Sequence, residues 1–220
     1  MKVAVITGGH PFDLPAFHQL FRELEGINAY VQHLDDFGSS SEEIRDSYGA
    51  VVFYTMQIEI PEEGTSWFRR DPRPAIERLF ERGQGVVVLH HSFFAFPDWS
   101  FWDSVLGLTH RAADPDAGFE FHLDVSQTVE VADPDHPILR GVKAFEIVDE
   151  GYHMPDEEIE GHLILSVNHP QTMTPTAWTK TVGSSRVLCF QLGHDAQAWS
   201  HPSFRKVLAQ GISWVTNTGA

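Results

Sequence analysis

The first ninety residues alternate short β-branched runs with helical stripes, and few folds accept that alternation. Residues 2–7 read KVAVIT and close on Gly8-Gly9, residues 50–55 read AVVFYT, and residues 85–90 read GVVVLH. Runs this short and this uniformly apolar are strands buried on both faces, as in a parallel sheet. Residues 29–34 supply a further strand. Between the strands, residues 13–25 set Leu14, Phe17, Leu20, Phe21 and Leu24 on one helical face, with Asp13 as N-cap and Gly26 as stop. Residues 41–48 and 74–82 give two more helices, the latter with Pro74 in its first turn and Gly83 after it. Parallel strands need crossover connections, so helices cover both faces of the sheet.

The second half is patterned differently. Residues 119–131 alternate apolar with polar, as in Phe121-His122-Leu123-Asp124-Val125, and predict half-exposed antiparallel strands. Residues 144–148, 162–166 and 186–191 are three more strands, and residues 202–216 close the chain with a helix. No internal repeat and no Gly/Ser linker interrupts the chain, so residues 1–220 are read as a single domain. The predicted class is α/β: a three-layer α/β/α sandwich with a mostly parallel sheet and added antiparallel strands.

Charge and cysteine usage narrow the function. The 220 residues carry 15 Lys and Arg against 31 Asp and Glu, a net charge of −16, which repels a phosphate backbone and argues against nucleic acid as a partner. Cys189 is the only cysteine and lies inside an apolar strand, as a buried inert thiol would. No apolar stretch approaches the roughly 20 residues of a membrane span, and the N-terminus lacks the apolar core of a signal peptide. A cytoplasmic protein without a membrane partner is expected. Trp67, Phe68 and Trp199 are candidate surface aromatics for a homo-oligomer contact. Residues 56–71, long for a loop, suit a lid or contact element.

Open parallel sheets bind ligands outside the carboxyl ends of their strands. Titratable groups recur there: His10 after the first strand, His90, His91 and Ser92 after the fourth, Asp149, Glu150, Tyr152 and His153 after 144–148, and His194 and Asp195 after 186–191. We expect His10, His91, Glu150 and His194 to be catalytic, with His90, Ser92, Tyr152, His153 and Asp195 contacting substrate. Neighbours on an extended chain face opposite ways, so at most one of His90 and His91 should face the cleft unless the chain turns sharply. His18, His33, His162, His169 and His201 read as structural or solvated, and His136-Pro137 as a turn. The aromatics at 93–102 are core by pattern, though their position after the fourth strand would also suit a sugar ring.

Seven segments, in order, resemble the ThuA-like (trehalose utilisation) family: Gly8-Gly9-His10, residues 85–91 (GVVVLHH), 136–141 (HPILRG), 149–152 (DEGY), 175–178 (PTAW), 183–187 (GSSRV) and 192–195 (LGHD). The resemblance implies a class I glutamine amidotransferase-like, flavodoxin-like fold and a role near sugar metabolism. It does not imply glutaminase chemistry. Amidotransferases of this fold place a cysteine in the sharp turn after a central strand, and here that turn reads Leu89-His90-His91-Ser92-Phe93. Ser92 makes a poor substitute, because a strained elbow needs small residues two positions either side and finds His90 and Phe94.

Three chemistries remain open. A divalent metal such as zinc could sit on His10, His91 and His194 with a carboxylate nearby. Metal-free general acid–base work on a polyol or keto-sugar would use the same residues in a hydrolase, lyase or isomerase. A non-catalytic sugar- or partner-binding module is the alternative.

Overall fold

The computed structural model describes residues 1–59, 68–108, 119–154 and 158–216. A nine-stranded sheet runs through it in the order β2-β1-β3-β4-β9-β8-β7-β5-β6. The strands are β1 Lys2–Gly8, β2 Asn28–His33, β3 Ala50–Thr55, β4 Gly85–Leu89, β5 Glu120–Val131, β6 Phe145–His153, β7 His162–Val167, β8 Pro175–Val182 and β9 Ser185–Phe190. The first five in spatial order are parallel, and the remaining pairs are antiparallel.

Strand parity divides the core. Val3 and Val5 of β1 face one apolar layer with Phe17, Leu208 and Ile212, while Ala4 and Ile6 face another with Phe37, Ile76 and Trp102. Helices α1 Leu14–Arg22, α6 Ala196–Ser200 and α7 Pro202–Thr216 supply the first layer. Helices α2 Leu34–Ser39, α4 Arg73–Glu81 and α5 Ser100–Leu106 supply the second. A short α3 (Glu42–Asp46), capped by Ser41, joins α2 to β3. This is the expected three-layer sandwich. Asp13 caps α1 by accepting from Ala16 N–H, as expected, but the helix ends at Arg22 and Gly26 turns the chain afterwards with φ +76°. No helix among the described residues is long and apolar enough to cross a membrane.

Several expectations need correction. Strand β6 does not stop at Val148: it continues through Asp149, Glu150 and Tyr152 to His153, because these residues pair with β5 and are largely covered. Strand β8 was not anticipated, nor were α2, α5 and α6. Phe68 and Trp199 are not surface aromatics, being 8% and 1% exposed. Phe93, Phe94, Phe96 and Trp102 are core, at 2% exposure or less. Trp67 and half of the loop at 56–71 lie outside the described residues.

Candidate functional site

Tight turns at the strand ends gather four imidazoles. After β1, Gly9 turns the chain with φ +75°, and a Cβ there would lie 2.3 Å from Met56 O, so only glycine lets the backbone pass. That turn leads into His10. After β9, Gly193 plays the same part with φ +120°, where a Cβ would press on the Phe204 ring, and His194 follows.

The turn after β4 is the decisive one. Residues His90–Phe94 form a 3-10 turn, and His90 itself has φ +52°. Holding a non-glycine residue there costs on the order of 1 kcal/mol and marks a constrained position. The sharp turn cancels the alternation of an extended chain, so both histidines join the cluster: His90 reaches Glu150 and His194, and the His91 ring lies 4.6 Å from that of His10.

The acid comes from the opposite end of the sheet. Strand β6 is separated from β9 by β8, β7 and β5, about 19 Å away if the sheet were flat. Yet Gln191 Nε2 donates to Glu150 O at 3.0 Å, and Asp149 accepts from the N–H groups of Gly193 and His194 at 2.6 and 3.0 Å. The β5–β6 hairpin must therefore bend over the strand ends. It does so where the register shifts between His122 and Val125, beside Asp124 at φ +55°.

Three donor atoms then converge. His90 Nε2 lies 3.0 Å from Glu150 Oε2 and 3.2 Å from His194 Nδ1, and His194 Nδ1 lies 3.0 Å from Glu150 Oε2. The other nitrogen of His90 faces Gln191 O at 2.6 Å. A carbonyl can only accept, so Nδ1 carries the hydrogen, and in the neutral ring Nε2 offers a lone pair. Tyr152 O–H lies 2.7 Å from the same Nε2. His90 is fully buried, whereas the His194 side chain keeps 25% exposure and connects the group to solvent.

The electrostatics follow from this packing. Burial acts to raise the Glu150 pKa, but the hydrogen bond from His194, together with the imidazole of His90 close by, holds it well below the usual carboxylate range. The same hydrogen bond to Glu150 raises His194. Burial lowers His10 and, much further, His91, so both are neutral imidazoles near pH 7. Among the described residues, neither nitrogen of His91 has a hydrogen-bond partner, and Nδ1 of His10 has none either. Burial raises Asp149, against the pull of His90 and its three backbone N–H bonds. Burial also raises Cys189 far above a reactive thiol, as its place in a strand implied.

The expected residues sort as follows. His10, His91, Glu150 and His194 lie in one cluster, and so do His90 and Tyr152. The three donor atoms that converge are those of His90, Glu150 and His194, not those of His10, His91 and His194. His90 was placed with substrate contacts, since nothing in sequence marks a left-handed residue. Ser92 does not face the cleft: it is fully buried, and its Oγ accepts from Thr55 N–H at 2.7 Å. Asp195 is a helix cap, accepting from the N–H groups of Gln197 and Ala198. His153 follows Tyr152 on an alternating strand and makes no hydrogen bond or ring contact with the cluster among the described residues. Gln191, which fixes the His90 tautomer, and Tyr54, whose ring lies 4.1 Å from that of His91, were not anticipated.

Five other histidines make local structural contacts. His33 Nδ1 caps α2 and His136 Nδ1 caps the turn at Pro137–Leu139, while His162 pairs with Asp133 at 2.8 Å. His169 and His201 accept local backbone N–H groups.

Known structures share this architecture. A ThuA-like protein of Parabacteroides merdae superposes over 98% of this chain and 89% of its own, at 18% identity and a TM-score of 0.70. One of Bacteroides uniformis covers 97% of this chain and 90% of its own, at 16% identity and 0.69. A glutamine amidotransferase of Thermotoga maritima covers 97% of this chain and 98% of its own, at 10% identity and 0.55. No match was found among curated proteins. The family model described as "Trehalose utilisation" matches residues 2–215, and the chain belongs to that ThuA family.

Proposed function

We propose that this ThuA-family protein is a carbohydrate-processing enzyme of the cytosol that works with a divalent metal held by His90, Glu150 and His194. One observation carries the reading: three potential ligand atoms from three distant segments lie 3.0–3.2 Å from one another, and His194 Nδ1 would give up its proton on binding the ion. Ligands around one small divalent ion stand about 3.0–3.4 Å apart, and two imidazoles with one carboxylate suit zinc or a similar ion. A metal-binding histidine typically gives its other N–H to a carbonyl, and His90 gives Nδ1–H to Gln191 O. The bound ion would polarise a carbonyl or hydroxyl oxygen of the sugar. The protein's own groups do the rest. Glu150 stays ionised beside the ion, and Asp149 fixes the backbone that carries His194. His10, a neutral imidazole 6.0 Å from His194 by ring centroids, is placed to take a proton from a hydroxyl. The family description points to a sugar such as trehalose or its keto form, and the acidic surface suits a neutral substrate.

The test is turnover of disaccharides and their keto derivatives by protein purified without a histidine tag, with metal content measured in parallel. The proposal expects about one divalent ion per chain and turnover that chelation abolishes. Turnover without metal would replace it with acid–base catalysis by the same residues. Sugar binding without turnover would make the chain a binding module.

A further inference from the structure

We propose that the cleft between α2, α3 and the start of α4 binds the phosphate of a phosphorylated small molecule, apart from the histidine cluster. Residues 69–82 hold five of the fifteen Lys and Arg against three Asp and Glu, a positive segment in a chain whose net charge is −16. A cavity of about 420 Å³ opens among them, lined by Gly38, Glu42, Arg45, Arg70, Asp71, Pro74, Ala75 and Arg78. That is far more than a bare phosphate fills, and is enough for a phosphate with an organic group attached.

Arg45 is the built part of the site. It is only 8% exposed, yet among the described residues no carboxylate makes an ion pair with it. Its Nη1 donates to the carbonyls of Gly38 and Ser40, and its Nε has no partner. Glu42 and Asp46 act on this guanidinium only through space, without direct contact, so it is buried with a donor unused. Arg70 lines the same cavity and makes no ion pair among the described residues. The two lining carboxylates are already engaged: Glu42 by Arg78 at 3.2 Å and Asp71 by Arg73 at 2.7 Å.

The first turn of α4 adds a dipole. Its nine residues have no side-chain cap from Pro72. Asp71 accepts the Arg73 N–H, Pro74 has none, and Ile76 N–H closes on Pro72 O. The Ala75 N–H is left as the first-turn donor, and Ala75 lines the cavity. A helix start that keeps one first-turn N–H open, beside two arginines without carboxylate partners among the described residues, is an arrangement that recognises a phosphate dianion.

The experiment is calorimetric titration of the full chain with inorganic phosphate and, separately, glucose 6-phosphate, at ionic strength matched with chloride. A Kd below about 1 mM for either probe is expected, weakened at least fivefold in Arg70→Ala, an exposed change that leaves the core untouched. Glu42→Gln should tighten binding, because it removes a competing carboxylate from the cavity wall while Arg78 stays held by Asp46 at 2.8 Å. That gain could not come from misfolding. Tighter binding of the hexose phosphate identifies an organic phosphate as the source, and equal affinity identifies free phosphate. No heat above the chloride control, or affinity unchanged in both variants, would overturn the site.

Discussion

Strand β3, in the parallel half, buries all six of its residues, whereas β5, in the antiparallel half, leaves Phe121 and Leu123 each 59% exposed. The parallel strands are covered by helices on both faces and act as a rigid floor. The antiparallel hairpin is covered less and is free to bend. The candidate site draws on both: the imidazoles come from turns at the ends of β1, β4 and β9, and the carboxylate from within a hairpin bent across them. A fixed floor holds His90 in an unfavourable conformation, and a bent arm lowers Glu150 and Tyr152 onto it. Neither half contains a complete donor set.

The first way to break this comparison is to remove the arm's contribution. Glu150→Gln is isosteric but uncharged, and should lower carbohydrate turnover about a hundredfold or more with the far-ultraviolet circular dichroism unchanged. Loss of fold in this variant would mean that the arm supports the floor and not only the chemistry.

The floor has its own weak point. Gly9→Ala places a Cβ against Met56 O in a left-handed turn. A loss of about 2–4 kcal/mol in urea unfolding is expected, larger than for an alanine in any ordinary loop. A loss below about 0.5 kcal/mol would show that the turn after β1 can shift without cost.

Protonation separates the two halves further. His91, on the floor, has a folded pKa far below its ordinary value of 6.5 because it is buried. Below pH 6.5 the unfolded chain takes up a proton that the folded chain refuses, so stability falls as the pH drops through that window, by up to about 1.4 kcal/mol per pH unit. His194 is raised and works the other way: its stabilisation is full below 6.5 and fades as pH rises through the folded value. In chelator, the melting temperature of His91→Gln should therefore fall less between pH 6.5 and 5 than that of the parent. Parallel curves would contradict a neutral buried His91.

The smallest effect concerns the bend. Asp124 sits at φ +55°, which a β-branched residue tolerates poorly. Asp124→Val should cost about 1–2 kcal/mol in thermal unfolding and reduce turnover through misplacement of Glu150, whereas Asp124→Gly should leave both close to the parent. Equal behaviour of the two variants would remove the bulge from the account.

The two halves also differ in how well the sequence reveals them. Strand β3 and helix α7 match their predicted bounds, since β-branched runs and a helical stripe report directly on burial. Strand β8 escaped notice because Pro175-Thr176-Ala177-Trp178 lacks both alternation and a β-branched run. Asp149-Glu150-Gly151 reads as a turn by composition, and only its pairing with β5 keeps it in a strand. The strand-end rule located the imidazoles but could not choose between His90 and His91, because that choice depends on a left-handed φ that histidine does not announce. The bend that brings Glu150 over β9 depends on a register shift, which periodicity does not encode.

The most direct measurement is a crystal structure of the protein grown with zinc, with anomalous differences collected on either side of the zinc edge. The account predicts one strong peak within about 2.2 Å of His90 Nε2, Glu150 Oε2 and His194 Nδ1 together. A peak on His10 and His91 instead, or none at those three atoms in zinc-saturated crystals, would contradict it.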